Sequence, residues 1–410
     1  MIDYLLIYIV GYSMKSSKFI VFVFLFILFG ILVLYPVNFL LVKLNVINIV
    51  SYSNKQPSYN EKDSYVTKLV KDVKTSIDNK VINYFPGYSY INKIDKSINT
   101  KFNKNIYNNL LNNSYYPVGT NADGEYIYKN NEHYILQNSL NTEELNSRFD
   151  SQIKFFNNLE IEEINIFIPY RFEYTNIDNS IYFRNLSKYR DTFKNKIRKD
   201  INIGEYGVDN KEDYLKYFYK TDDHYIMNGA YESYKIIMNM LGETPKKAKV
   251  VEQEIKYYGS MARSAYSTEI YDSFYTLDTD LEKHDVLVNG VKNPKHKPKE
   301  ILTGKHEFFD HYVSYFNGLF GQVEYDFHNK NKNNILIIQD SYGWQIDELI
   351  ASHYNKTYVI DIRHDEYKNG KFYIKDFIEK NNIKKVLFLY EAGSIFFDQY
   401  DYGFVDKVVS

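Results

Sequence analysis

From about residue 116 onward, short apolar runs of strand length alternate with longer stretches of helical spacing, and this alternation leaves few folds open to the chain. The apolar runs fall at residues 164–168, 249–251, 335–338, 357–362 and 385–390, and the helical spacings at 142–159, 227–241, 343–354 and 374–380. Strands separated by helices need crossover connections, so they pair in parallel and are buried on both faces. The expectation is an α/β sandwich of three layers around a mostly parallel sheet, with its ligand crevice at the carboxyl ends of the strands. Ser341 comes after the run 335–338, Pro169 follows another run and Asp361 stands at the end of a third, which places all three on one rim.

A second constraint lies at the other end of the chain. Residues 19–42 are almost wholly apolar, broken only by Gly30, Pro36 and Asn38, and about 20 such residues cross a bilayer as a helix. Lys15 and Lys18 precede the run, so the positive-inside rule puts the N-terminus in the cytoplasm and residues 51–410 outside. The run is long for a signal-peptide core and no small-x-small site closes it, which makes it a signal anchor of a single-pass membrane protein. Met14 directly before Lys15 reads as a natural start. Residues 1–47 then form tail and anchor, the Asn- and Lys-rich residues 48–115 a stalk with weak helical patterns at 66–77 and 106–111, and residues 116–410 the functional domain.

Composition excludes several chemistries. The formal charge is −2 with a pI near 6.5, so nucleic acid finds no basic footprint. There is no cysteine, which removes disulfides, thiolate catalysis and thiolate metal sites. The nine histidines are scattered without ligand spacing, and no Gly-rich phosphate or dinucleotide loop occurs, so neither metal nor cofactor is expected. The 43 Tyr and 28 Phe reflect an AT-rich coding bias more readily than a sugar-stacking surface.

Two short segments carry chemistry. Asp222-Asp223-His224-Tyr225 offers an imidazole and a carboxylate, and Asp340-Ser341 a hydroxyl at a strand end. A hydroxyl is a poor nucleophile at neutral pH and needs an imidazole to take its proton and a carboxylate to orient that imidazole. Each segment also has a plainer reading: Asp340-Ser341 as cap of a helix starting near Gly343, Asp222 and Asp223 as caps of the helix near Met227. If a helix does start at Ser341, its N-terminus favours a developing oxyanion. Asp361-Ile362-Arg363-His364 competes as an Asp-x-x-His pair, though it lies only 20 residues after Ser341. Ser260 is a second candidate serine.

The segment Tyr219-Lys220-Thr221-Asp222-Asp223-His224-Tyr225, with Asn228-Gly229-Ala230-Tyr231 and Tyr234, resembles the signature of DHHW-type proteins and the related AlgX/AlgJ-like polysaccharide O-acetyltransferases. Residues 122–128, Tyr258-Gly259-Ser260, Gln339-Asp340-Ser341-Tyr342 and residues 359–363 extend the resemblance over most of residues 120–400. It implies an SGNH-hydrolase-like fold in permuted order, with Ser341 as nucleophile, His224 as base and Asp222 as orienter. It also implies acetyl transfer to hydroxyls of a cell-surface or secreted polysaccharide, served by a membrane-bound O-acyltransferase partner. A carbohydrate acetylesterase and a non-catalytic glycan-binding or assembly scaffold are the rival functions. Tyr225 stands where Trp is usual, as an aromatic wall against substrate. Asp223 is an added carboxylate that would raise the pKa of His224 if it turned inward, and it is expected to face solvent. Amides at Gly259-Ser260 and Asn317-Gly318 are candidate oxyanion donors, and Arg171 a candidate substrate contact.

Overall fold

The computed structural model describes residues 88–106, 115–121, 126–137, 142–170, 187–208, 211–292, 301–304, 307–364, 367, 370–398 and 404–409. The apolar run at 19–42 and the helical pattern at 66–77 lie outside them, and among the described residues no helix is long and apolar enough to cross a membrane. The chain divides into two compact units, Met1–Ile98 with Lys305–Glu307, and Asn99–Gly304 with Phe308–Ser410. Of the first, the described part is chiefly the start of helix Tyr88–Asn105, inside the stretch read from sequence as stalk.

The second unit is a mixed α/β structure built on one eight-stranded sheet. In chain order its strands are β1 (Ile164–Pro169), β2 (Asn202–Tyr206), β3 (Asp285–Val288), β4 (Val291–Lys292), β5 (Gln322–Asp326), β6 (Asn334–Gln339), β7 (Lys356–Ile360) and β8 (Ile383–Leu389). Their spatial order is β2-β1-β8-β6-β7-β5-β3-β4. The first five in that order pair in parallel, and β5, β3 and β4 add an antiparallel edge. Four of these parallel strands carry the apolar runs of the sequence, and the outermost, β2, is a more polar exception that is only half buried. The antiparallel edge carries alternating or short sequences such as Gln322–Asp326, whose polar members mask the pattern.

β6 lies in the middle, and its β-branched isoleucines suit a pleated surface buried on both sides. Ile335 and Ile337 point into one core with Phe167, Val359 and Leu387. Leu336 and Ile338 point into the other with Ile166, Ile360 and Phe388. Helices Met227–Met240 and Asp347–Ala351 cover the first face, and Thr142–Asn158 and Ala392–Phe397 the second.

Two expectations change. Residues 249–251 belong to a separate antiparallel hairpin, Lys249–Tyr257 with Asp272–Asp278, because the half-buried alternation after Val251 suits a two-faced ribbon and not a buried parallel strand. The helix expected over 343–354 shrinks to Asp347–Ala351. Ahead of it the chain turns tightly, with Gly343 N–H donating to Asp340 O at 3.1 Å and Ile346 N–H to Gly343 O at 2.9 Å. The Asp340 carboxylate takes Tyr342 N–H at 2.9 Å, a local bond that competes with helix formation.

Candidate active site

Ser341 leaves the carboxyl end of β6 on this turn. Asp340 fixes the turn from below: its Oδ1 accepts Tyr342 N–H and its Oδ2 accepts Glu391 N–H at 2.9 Å, from the end of the neighbouring β8. Burial pushes the Asp340 carboxyl up to about 6 despite the Arg363 charge and these two amides. Asp340 is thus a brace for the turn and not a helix cap.

The Asp-x-His segment is the tip of a closed loop. Phe218 and Tyr225 form an antiparallel bridge, with Tyr219 N–H donating to His224 O at 3.1 Å and Ile226 N–H to Tyr217 O at 2.9 Å. The helix that follows has Ile226 at its N-cap and no side-chain cap, so neither Asp222 nor Asp223 serves as one. Gly229 lets this helix start close to the loop, since a Cβ there would stand 2.5 Å from Tyr217 O and 2.9 Å from Tyr225 Cβ. Thr221 is the anchor. Its N–H and hydroxyl both donate to Asp272 Oδ2, at 3.0 and 2.6 Å, Lys220 N–H donates to Asp272 Oδ1, and the Thr221 carbonyl accepts Met261 and Ala262 amides.

Loop and turn meet as a hydrogen-bonded triad. His224 Nε2 lies 2.7 Å from Ser341 Oγ, and His224 Nδ1 lies 2.5 Å from Asp222 Oδ1. With Nδ1–H given to the carboxylate, Nε2 is left to accept the serine proton. Asp222 Oδ2 accepts the Tyr257 hydroxyl at 2.7 Å and Ser260 N–H at 2.6 Å. Burial alone would push the Asp222 carboxyl up, but the charge and hydrogen bond of His224, the Arg263 charge and Tyr257 outweigh it and hold it well below the usual range. Burial likewise works against charge on His224, and the Asp223 charge first, then Asp222, raise its pKa above the ordinary value. The Tyr312 ring stacks on the imidazole at 4.1 Å, and its hydroxyl donates to Ser341 O at 2.9 Å. Two tyrosines interlock the segments: Tyr225 hydroxyl donates to Tyr342 O at 2.5 Å, and Tyr342 hydroxyl donates to Asp223 O.

The structure thus brings Ser341, His224 and Asp222 together and treats the other candidates differently. Gly259 and Ser260 do not offer oxyanion amides: Gly259 N–H goes to Thr221 Oγ1 at 2.9 Å and Ser260 N–H to Asp222, so both hold the acid side of the site. Ser260 Oγ donates to Asp223 Oδ1 at 2.8 Å, while the free acceptor nitrogen of His224, Nε2, faces Ser341 Oγ, so Ser260 has no base to make it a second nucleophile. The Asn317 and Gly318 amides close a turn onto Ser314 O and Val313 O, at 3.3 and 3.1 Å, and are likewise engaged. Tyr225 is no substrate wall, being fully buried behind Tyr342. Arg171 lies outside the described residues. His364 lies 3.5 Å from Asp361, and Asp361 is held by Arg363 at 2.8 and 2.5 Å, so the Asp-x-x-His spacing serves an ion pair and not Ser341.

Sequence reasoning missed Thr221, Tyr257, Asp272 and Tyr312. Thr221 lies inside one of the motifs, without a role assigned to it, and Tyr257 adjoins another, but nothing local marks Asp272 or Tyr312. Among the described residues the one cluster with metal-ligand spacing is Asp222, Asp223 and His224, within 4.8 Å of one another, and its imidazole and inner carboxylate are already taken by Ser341, Tyr257 and Ser260.

No family model matches the chain, and no curated protein does. Solved structures do. A DHHW family protein from Eubacterium siraeum superposes with a TM-score of 0.51 at 18% identity, over 71% of this chain and 98% of its own. Bacillus cereus PatB1 with sulfonyl adduct gives 0.53 at 16% identity, over 68% and 98%, and a second structure of PatB1 gives 0.50 at 16%, over 68% and 99%. The resemblance to DHHW-type proteins seen in the motifs is met by a shared fold.

Proposed function

We propose, from the fold shared with a DHHW family protein and above all from the Ser341–His224–Asp222 relay at the rim of the central parallel strand, that this chain is a serine-dependent O-acyltransferase with an SGNH-like catalytic domain. It moves an acetyl group to hydroxyls of a cell-surface or secreted polysaccharide. His224 Nε2 takes the Ser341 proton as Oγ attacks the donor's carbonyl carbon, and returns it to the departing donor alcohol as that C–O bond breaks. The acetyl group is left as an ester on Ser341. A sugar hydroxyl then gives its proton to Nε2, attacks the acetyl carbonyl and leaves as the new ester, and the proton returns to Ser341. Asp222 holds the reactive tautomer and offsets the imidazolium charge. Charge developing on the carbonyl oxygen meets the Ser341 N–H, which has no acceptor among the described residues.

In this reading residues 19–42 tether the domain to the membrane, residues 48–115 form the stalk, and a membrane-bound O-acyltransferase supplies acetyl from the cytoplasmic side. The test is to incubate the full chain with an activated acetyl ester, with and without oligosaccharide, and to follow acetyl-protein by mass. Acetyl on Ser341 that passes to the sugar is expected, with a loss of about a thousandfold or more in Ser341→Ala. Release of acetate alone would make it an esterase. Full activity in the Ser341→Ala protein would remove the reading.

A further inference from the structure

The middle residue of Asp222-Asp223-His224 carries a charge that belongs, by default, in solvent. It turns inward instead. Asp223 Oδ1 lies 3.6 Å from His224 Nδ1, on the side where Asp222 Oδ1 already sits at 2.5 Å. Ser260 holds both carboxylates: its amide donates to Asp222 Oδ2 at 2.6 Å, and its hydroxyl to Asp223 Oδ1 at 2.8 Å. The Asp223 carbonyl is fixed as well, by the Tyr342 hydroxyl from the nucleophile's own turn.

We propose that Asp223 is a second carboxylate of this site, clamped by Ser260 beside Nδ1 of His224, and that it stabilises the imidazolium formed when Ser341 gives up its proton. This rests on the triad acting in acyl transfer. At 3.6 Å Asp223 makes no hydrogen bond to the ring, so it acts through its field, and it remains 28% exposed, so that field is partly screened. It is a positioning residue: it touches no reacting atom and works through His224.

The other groups around the ring do not duplicate it. The Tyr312 ring covers one face, and Tyr342 and Ser341 lie on the nucleophile side. Tyr257 addresses Asp222. Arg263 is paired with Asp310 at 2.9 Å and lowers the Asp222 pKa. Asp340 adds a more distant negative charge, and it titrates near 6 because burial pushes it up, so a pH–rate profile alone would mix its titration with that of His224. The imidazole must therefore be read directly.

The experiment is an NMR titration of the full chain labelled on histidine, with the His224 signal assigned by its loss in His224→Gln. In Asp223→Asn the midpoint of His224 is expected to fall, because the substitution removes an opposite charge beside the cation. Ser260→Ala should move it in the same direction and by less. The acid limb of kcat/KM on an activated acetyl ester should shift to lower pH with the NMR midpoint, with kcat falling several-fold at the plateau and KM little changed. Asp223→Glu should restore the midpoint in part. An unchanged midpoint in Asp223→Asn overturns the proposal, and a change there with none in Ser260→Ala overturns the clamp. Failure of the acyl-transfer reading is seen elsewhere, in an active Ser341→Ala protein, and leaves the titration readable.

Discussion

At the scale of single residues, the site depends on how closely the hairpin's end approaches the Asp-x-His loop. Gly259 sits at that contact, and a Cβ there would stand 2.4 Å from both Asp222 Cβ and Thr221 O. The carbonyl belongs to the backbone and cannot swing aside. Gly259→Ala is therefore expected to cost about 1–3 kcal/mol of stability, read by thermal melting, and to lower kcat more than it raises KM because Asp222 is pushed off the imidazole. Ser341, His224 and Asp222 were legible in the sequence because nucleophile, base and orienter are each a distinctive residue type in a short motif. Their support was not. Tyr257, Asp272 and Tyr312 act through hydrogen bonds and a stacked ring to partners distant in the chain, and a tyrosine among 43 carries no mark of which it is. For Asp223 the sequence leaves both orientations open, with solvent the default for a carboxylate. The loop's closure and the Ser260 hydroxyl bring it back.

Among the elements, β6 matters most, since it carries the nucleophile and separates the two cores. Ile337 is fully buried on the face shared with helix Met227–Met240, which begins just after the base. Ile337→Ala should destabilise the protein by about 2–5 kcal/mol in denaturant titration, through lost apolar burial and the cavity left behind. Four of the five parallel strands were readable because continuous apolar runs between helical spacings have one economical solution, whereas β2, with its Asn, Gly and Glu, offers no such run. The antiparallel edge and the hairpin were not, because strands such as Gln322–Asp326 mix glutamate and aspartate with their apolar residues, and their pairing is decided by neighbours distant in the chain. The short helix after Ser341 shows the same limit, since helical spacing over 343–354 yields to a turn set by the Asp340 side chain.

For the molecule as a whole, buried carboxylates set the response to acid, and they pull in opposite directions. Although burial opposes charge on Asp361, the Arg363 charge and its paired hydrogen bonds hold the carboxyl down at about 2, against an unfolded value near 3.9. A depressed folded pKa contributes stability that is present above about 4 and is lost as pH falls toward about 2, here on the order of 2–3 kcal/mol. Asp272 and Asp340, which burial raises to about 6, have the reverse sign: they favour the fold below about 4 and lose that contribution as pH rises through 6. Arg363→Met should therefore be less stable than the parent at pH 5 and converge with it near pH 2, as followed by denaturant titrations across that range. The general architecture was visible in the alternation of runs, whereas this charge balance depends on which carboxylates are buried together, and only the folded chain reveals that. The paired tyrosines between loop and turn have a mechanical meaning as well. Each segment's tyrosine hydroxyl grips the other's backbone, so neither is a fixed frame on which the other rides. A displacement of the rim that keeps these two bonds carries serine and imidazole along together, so the spacing of the reacting pair is tied to the loop and turn jointly and not to either alone.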